Sequence, residues 1–242
     1  DFMKMTERSG NAIRAVTWSD CGGMHTEAIG LNQLVKALKV HVGIELEIAP
    51  YVFCDKSQVS RNFASQNTSA KHVSKDMVDD RDFDKGTFRC EVCDREHEIP
   101  QAGVDVYVCC FPCGPWSARG KQLGFDDKDG QLCWQTIKTI KYIKPCFFMM
   151  ENVLRIDQKG ADADETALAT INQSMAAELG DSYDVVLVKN LDPTMAGFPV
   201  RKPRIAILGA RSDVAKKGAL LHVVQEVMSN PMPIHKNYRQ LL

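Results

Sequence analysis

The chain has 242 residues, of which 44% are hydrophobic and 25% charged, and its net charge is −1. This composition is typical of a soluble globular protein, and no apolar run reaches the roughly 18 residues that a membrane-spanning helix needs. The near-neutral charge disfavours a surface that binds nucleic acid throughout, so any such site should be local or completed by a part outside this chain. Nine irregularly spaced cysteines favour a reducing intracellular compartment, the nucleus in a eukaryote, over a disulfide scaffold.

Short apolar runs alternate with helix-like stretches along the chain. This alternation is typical of an α/β protein with a parallel sheet that is wrapped by helices. Apolar runs predict strands at 15–18, 51–54, 105–110, 147–150, 184–189 and 204–209, and apolar residues at helical spacing predict helices at 25–40 and 219–228.

A polar, charged segment at 78–103 interrupts the pattern, and we interpret it as an insertion or a mobile loop within a single domain spanning 1–242. It contains Cys90, Cys93 and His97, a weak zinc candidate. A closed structural zinc site needs four ligands, so Asp94, Glu96 or a partner chain would have to supply the fourth. A plain surface loop with free thiols is the alternative.

Unusual residues follow the carboxyl ends of four predicted strands. They are the glycine pair Gly22 and Gly23, then Asp55, Cys113 and Glu151. Open parallel sheets bind ligands outside these strand ends. The pattern therefore predicts one site made from four strand ends.

The glycine turn at 18–24 and Asp55 suggest a nucleoside ligand. Glycine lets a ligand approach the backbone without a Cβ in the way. An acidic residue after the second strand of such a sheet can bond both hydroxyls of a ribose. Each feature has a plain alternative, a tight turn for the glycines and a solvated carboxylate for Asp55.

Cys113 is a more specific signal, because it lies between Pro112 and Gly114-Pro115 directly after a buried strand. A rigid turn of this kind presents the thiol rather than burying it, and a thiolate is a nucleophile. Glu151 follows the next apolar strand, where a partly desolvated carboxyl group could hydrogen-bond a ring nitrogen.

The order of these motifs resembles that of the cytosine-5 DNA methyltransferase family. Residues 111–117 resemble its Pro-Cys nucleophile loop, residues 151–153 its Glu-Asn-Val motif, and residues 18–23 its cofactor-binding glycine turn. Residues 129–145 are similar to the helix before the Glu strand, and residues 197–209 to the Gln-x-Arg-x-Arg segment.

The resemblance implies an open, mainly parallel doubly wound sheet of the S-adenosylmethionine-dependent methyltransferase type. It also implies transfer of a methyl group from S-adenosylmethionine to carbon 5 of cytosine in DNA through a covalent cysteine adduct, with the base flipped out of the duplex. The implied catalytic residues are Cys113, Glu151 and Arg204, and the implied substrate-binding residues are Ser117, Asn152 and Lys202. The implied cofactor-binding residues are Trp18, Ser19, Asp20, Cys21, Gly22, Gly23, Asp55, Asp76, Met77 and Pro112.

Several positions depart from the family pattern. Asp20 replaces a glycine beside the expected amino-acid end of the cofactor, where its carboxylate would repel the cofactor carboxylate or bond the ammonium group. Val200 and Lys202 replace Gln and Arg, and lysine lacks the bidentate fork of arginine. The residues after Gly209 are too few for the family's target-recognition domain, so we expect a separate domain or subunit to supply it. Residues 9–13 resemble the family's closing Gly-Asn motif, which would suggest a circularly permuted order, or they are a flexible lead.

Two alternatives remain open from the sequence. A cytosine-5 tRNA methyltransferase fits the near-neutral charge and the absent recognition domain, and residues 192–194 resemble its local sequence. A catalytically silent regulator would explain Asp20 and Val200, although such a protein has no chemical reason to keep both Cys113 and Glu151. A cysteine hydrolase is disfavoured, because no histidine follows an obvious strand to act as its base.

Overall fold

The computed structural model describes residues 13–159 and 164–231. The chain divides into two compact units, one formed by Asp1–Cys110 and Trp134–Phe148 and the other by Phe111–Cys133 and Met149–Leu242. The resemblance of residues 9–13 to a closing motif falls almost entirely outside the described residues.

The first unit contains a parallel sheet in the strand order β3-β2-β1-β7. Its strands are mostly buried apolar runs, as expected where both faces of a parallel sheet are covered. These strands are β1 (Ile13–Asp20), β2 (Leu46–Cys54), β3 (His72–Ser74) and β7 (Val106–Cys109). The helices of this region are α1 (Thr26–Val42), α2 (Gln58–Asn67) and α3 (Leu132–Ile143), whose first two residues belong to the second unit.

A second, antiparallel sheet of three short strands lies in the same unit, with the order β4-β5-β6. The strands are β4 (Arg81–Asp82), β5 (Thr87–Cys90) and β6 (Arg95–Glu98). They occupy the polar segment that we interpreted as an insertion or a mobile loop. Phe88, Cys90 and Arg81 are buried on this sheet, so a few inward-facing side chains anchor an otherwise polar segment.

The second unit contains the end of β8 (Phe147–Val153), followed in the sheet by β10 (Arg204–Arg211) and β9 (Tyr183–Leu191). β9 is antiparallel to β10. Helix α4 (Ala167–Leu179) buries one apolar face, and α5 (Ala219–Ser229) packs on β9 and β10 through Leu220, Val224 and Met228. The predicted α/β class with a mainly parallel sheet is confirmed.

The predicted elements recur, most of them with longer boundaries, whereas the strand predicted at 105–110 is shortened to Val106–Cys109. The apolar run at 15–18 lies inside β1, and the helix predicted at 25–40 spans Thr26–Val42. Helices α2 and α4, strand β3 and the three short strands β4, β5 and β6 were not predicted. Within the described residues, no helix combines the length and the apolar character that a membrane crossing requires.

Candidate active site

The glycine turn (residues 21–24) connects β1 to α1 in the first unit. A Cβ added to Gly22 would lie 2.6 Å from Phe53 Cε2 and 2.7 Å from Ser19 Oγ. These distances are too short for any side chain, so the turn passes this point only with glycine. Its next amide, the N–H of Gly23, donates to Asp55 Oδ2 at 2.8 Å. The turn after β1 is thereby joined to the residue that follows β2.

Asp55 holds two backbone segments at once. Its Oδ1 accepts the N–H of Ser57 at 2.7 Å, just before α2, while Oδ2 accepts Gly23. The side chain is half-buried. An ionised carboxylate has about four lone-pair sites, so Asp55 keeps acceptor capacity for a ligand hydroxyl.

Asp76 and Met77 follow β3 in the same unit. Asp76 accepts the N–H of Val78 at 2.8 Å and lies 3.4 Å from Lys56 Nζ. The buried Met77 contacts Cys21, with its Sδ 3.7 Å from the thiol Sγ. Within the first unit, the predicted cofactor residues after β1, β2 and β3 are therefore linked by short contacts.

Asp20 does not take the position that the family resemblance implied. It is fully buried, and its carboxylate is bound by the Arg81 guanidinium, by the Tyr107 hydroxyl at 2.7 Å and by the Trp18 indole N–H at 3.0 Å. Burial and the nearby Asp20 charge raise the pKa of Tyr107 well above its ordinary value, so the phenol stays protonated and donates. The expectation that Asp20 meets the amino-acid end of a cofactor is therefore corrected.

Trp18 and Ser19 are also buried. The Trp18 ring packs edge-on against Phe88 with 5.4 Å between ring centroids, and the Arg81 guanidinium lies 4.9 Å from the indole centroid. Ser19 Oγ donates to Glu27. Their side chains belong to the core beneath the glycine turn, which leaves the turn backbone as the surface available to a ligand.

Glu27 is a residue of this region that the sequence reasoning missed. It lies in the first turn of α1, 12% exposed, and its Oε1 is 3.0 Å from the Cβ position of Gly22. Burial raises the pKa of this carboxyl group, while the Ser19 hydrogen bond lowers it. The available signal was an acidic residue four positions after the second glycine, at a helix start.

The nucleophile loop (residues 111–117) belongs to the second unit. The carbonyl of Cys113 accepts the N–H of Trp116 at 3.0 Å and of Ser117 at 2.8 Å, which closes a turn and leaves Cys113 exposed. Beneath it the buried Trp116 ring packs between Phe111 and Phe125, at 5.6 and 5.9 Å between centroids. Pro112 and Ser117 are half-buried. The loop is thus a rigid support that presents one thiol.

Residues at the end of β8 support this loop. The Asn152 side chain is buried, and its Nδ2 donates to the carbonyl of Phe111 at 3.0 Å. Its Oδ1 accepts the N–H of Val153 at 2.8 Å. The amide that was expected to bind substrate instead holds the backbone two residues before Cys113.

Glu151 and Arg204 form an ion pair in the second unit, with 2.8 Å between Arg204 Nε and Glu151 Oε1. The two side chains are 27% and 25% exposed, so both are accessible from solvent. Arg204 begins β10, and its Nη1 also donates to the carbonyl of Pro203 at 2.9 Å. Lys202 is exposed nearby in sequence, with its backbone N–H 3.2 Å from Asp192 Oδ2.

The fold is that of an S-adenosylmethionine-dependent methyltransferase. The described architecture is similar to the crystal structure of the Schizosaccharomyces pombe Dnmt2 methyltransferase, with a TM-score of 0.54 and 14% identity over 92% of this chain and 57% of that one. At this identity the likeness concerns the fold alone.

The chain belongs to the C-5 cytosine-specific DNA methylase family, whose model matches residues 57–241. The type II methyltransferase M.PspPI of Psychrobacter sp. (strain TA137) is 33% identical over 114 residues, 47% of this chain and 26% of that protein. The orphan methyltransferase M.Rho11sI of Bacillus phage rho11s is 27% identical over 186 residues, 76% of this chain and 32% of that protein. The chain thus spans about a quarter to a third of the length of these relatives.

Proposed function

We propose that this chain is the catalytic part of a DNA (cytosine-5) methyltransferase that uses S-adenosylmethionine. The proposal rests on the arrangement in the second unit. There a buried Asn152 holds the loop of the exposed Cys113, and the preceding residue, Glu151, pairs with Arg204. A nucleophile on a fixed loop, a carboxyl group and a guanidinium are the groups that activation of a cytosine ring requires.

The glycine turn fits the cofactor, because a Cβ at Gly23 would meet nothing within 4 Å, so a ligand can approach the backbone at this point. We assign the ribose hydroxyls to Asp55 and the adenine ring to Asp76 and Met77. The backbone of residues 21–23 would complete the contacts of the first unit. When bound, S-adenosylmethionine supplies an electrophilic methyl group.

Glu27 takes the role that Asp20 cannot fill. Its carboxyl group lies beside Gly22, and burial raises its pKa. An ammonium group of the cofactor's amino-acid end would favour the ionised form, since an opposite charge at short range offsets desolvation.

The chain's own residues account for the activation of cytosine. The Cys113 thiolate adds to carbon 6, and the electron pair of the 5,6 double bond becomes available at carbon 5. Glu151 binds the ring nitrogen and the exocyclic amine, and Arg204 binds the 2-carbonyl, which stabilises the charge of the adduct. After methyl transfer to carbon 5, a base or water removes the carbon-5 proton, and the sulfur–carbon bond breaks to regenerate the thiolate.

The partner we propose is duplex DNA with the target base flipped out, at a cost of a few kcal/mol. Ser117 and Lys202 are assigned to substrate contacts near the nucleophile loop and β10. Because the net charge of the chain is −1, phosphate contacts should be few, and a recognition domain or subunit would supply the rest of the DNA surface.

The test is a covalent trap. A duplex with 5-fluorocytosine is incubated with the protein and S-adenosylmethionine and then separated under denaturing conditions, because fluorine at carbon 5 blocks the last elimination. We expect a shifted band with the wild type and with Cys146→Ser, a half-buried cysteine elsewhere, and none with Cys113→Ala. Adduct on fluorinated tRNA alone would favour an RNA substrate, and no adduct on either would favour a silent domain.

A further inference from the structure

The small antiparallel sheet brings Cys90 and Cys93 into one tight turn. Cys90 ends β5 and pairs with Arg95 of β6. Asp94 has φ 52° in the left-handed region, and this conformation lets the backbone N–H of Arg95 donate to the Cys93 sulfur. The turn therefore places the two cysteine sulfurs within 4.8 Å of each other, close enough to bind the same ligand.

Two histidines complete the group. His97 of β6 places Nε2 3.0 Å from the Cys93 sulfur. His72 comes from β3 of the parallel sheet, and its ring centroid lies 4.0 Å from that of His97. The four donor atoms, one from each residue, all lie within 4.8 Å of one another. Asp94, considered from the sequence as a fourth ligand, instead pairs with Arg89.

The environment of His72 indicates that this cluster binds a ligand. The residue is 6% exposed, and its Nδ1 is buried without a hydrogen-bond partner among the described residues. Around it, the rings of Tyr51 and Phe88 lie at 5.1 and 5.5 Å between centroids and exclude water. A buried imidazole nitrogen without a partner is costly, and a metal bond would satisfy a ring nitrogen of this side chain.

We propose that Cys90, Cys93, His72 and His97 bind one structural zinc ion. Two thiolates and two imidazoles around one ion are a closed tetrahedral zinc set, in which the donor atoms are about 3.3 to 3.8 Å apart given Zn–N and Zn–S bonds of about 2.0 and 2.3 Å. The two thiolates also neutralise the charge of the ion, which suits a site with buried members. A two-iron cluster is disfavoured, since its ligands divide between two metals, whereas these four donor atoms all lie within 4.8 Å of one another.

The zinc ion would connect β3 to the three-stranded sheet. Residues between its ligands include Asp76, Met77 and Arg81, which pairs with the buried Asp20. The ion would therefore hold in place the segment to which we assign the adenine contacts, and this consequence, unlike the metal site itself, rests on the proposed function. Four protein ligands leave no open position, so the role is structural rather than catalytic.

Metal content is the first test. Untagged protein, purified without chelator, is analysed by inductively coupled plasma mass spectrometry. We expect one zinc per chain in the wild type and in the matched controls Cys146→Ser and His222→Asn, the latter an exposed histidine of α5. Cys93→Ser and His72→Asn should lose most of the zinc, while His97→Cys should keep it. Iron in the place of zinc, or zinc retained by both ligand variants, would overturn the proposal.

Cobalt provides a readout on the folded wild type that needs no variant. Protein stripped of metal and titrated with Co²⁺ should develop the strong visible bands of a tetrahedral ion and a thiolate charge-transfer band, both removed by added Zn²⁺. A wild type that contains no zinc and gives no tetrahedral spectrum refutes the site, whatever the covalent trap shows.

Removal of zinc should also weaken the binding of S-adenosylmethionine, as measured by isothermal titration. Unchanged affinity in a zinc-containing protein would refute only the link to the cofactor.

Discussion

Asp20 and Arg81 are both fully buried, and their ion pair lies directly beneath the glycine turn. Removing two charges from water costs several kcal/mol per ion, and hydrogen bonds to most of the remaining lone pairs and protons offset part of this cost, although Arg81 Nε has no partner among the described residues. Tyr107 and Trp18 bond the carboxylate, and Thr139 Oγ1 accepts from Arg81 Nη1 at 3.3 Å. A carboxylate at the family's glycine position is thus neutralised from within the chain.

Arg81→Met should therefore destabilise the protein by about 3 to 5 kcal/mol, because Asp20 would remain buried without its counter-charge. Urea unfolding followed by circular dichroism measures the change. Lys39→Met is the matched control, since its partner Glu45 lies 2.9 Å away and both side chains are more than half exposed. Water and salt screen that pair, so the control should leave the unfolding midpoint nearly unchanged. Equal midpoints for the two variants would refute the argument.

Substitutions of Asp55 test whether this residue binds the ribose of the cofactor. Loss of hydrogen bonds to an ionised group costs about 1.5 to 3 kcal/mol, so Asp55→Ala should weaken S-adenosylmethionine binding roughly tenfold to a hundredfold in isothermal titration. Asp55→Asn keeps one acceptor for the Gly23 amide and should lose less. The exposed Asp213→Ala should bind normally. Wild-type affinity in both Asp55 variants would remove its ribose role.

At the scale of elements, the nucleophile loop depends on a close approach of two backbone segments. A Cβ on Gly120 would lie 1.7 Å from the carbonyl oxygen of Gly114, the residue after Cys113. The clash is with backbone and cannot be relieved by a side-chain rotation. Gly120 is therefore required for the position of the thiol, although no chemistry is assigned to it.

Gly120→Ala should reduce the rate of covalent adduct formation by about a hundredfold or more, since a displacement near 1 Å of a reacting group has an effect of that order. Cofactor affinity should be unchanged. Gly30→Ala is the matched control, because a Cβ there meets nothing within 4 Å on α1, and it should keep the rate while stabilising the helix by about 0.5 to 1 kcal/mol. A Gly120→Ala protein with normal adduct kinetics would contradict this account of the loop.

At the scale of the whole molecule, the free energy of unfolding should depend on pH through the protonation of His25. Burial lowers the pKa of this histidine to about 4, from an ordinary value of 6.5. Its ring faces Thr68 Oγ1, 2.7 Å from Nδ1, the Glu27 carboxylate, 3.6 Å from Nε2, and the Phe53 ring. The folded chain keeps the imidazole neutral in a range where the unfolded chain protonates it, so stability is lost as pH falls from about 6.5 to about 4.

His25→Gln should remove this loss, which amounts to about 3 kcal/mol because each pKa unit corresponds to 1.36 kcal/mol. The raised pKa of Glu27 acts in the opposite direction, with stability lost as pH rises, and both proteins share it. Unfolding free energies at pH 7 and pH 4 give the difference between wild type and variant. Identical pH dependence in the two proteins would show that His25 is not held neutral by the fold.

Local patterns in the sequence were sufficient to predict the main strands, the turn around Cys113 and the family. Apolar runs of strand length need no distant partner to be recognised, and the prolines and glycines around Cys113 restrict the backbone at that position. The short β3 and the three-stranded sheet escaped prediction, because two or three inward-facing side chains leave no periodicity in a polar segment.

The sequence by itself determined the α/β class, the Cys113 loop, the Glu151 motif and the acid after β2, since each depends on residues that are neighbours in the chain. Only the tertiary structure showed which side chains contact one another. It placed Asp20 in a buried network with Arg81, joined Glu151 to Arg204, and brought His72 to Cys93 and His97. The physical reason is that burial, ion pairing and metal coordination depend on distances between residues far apart in sequence, and those distances exist only in the folded chain.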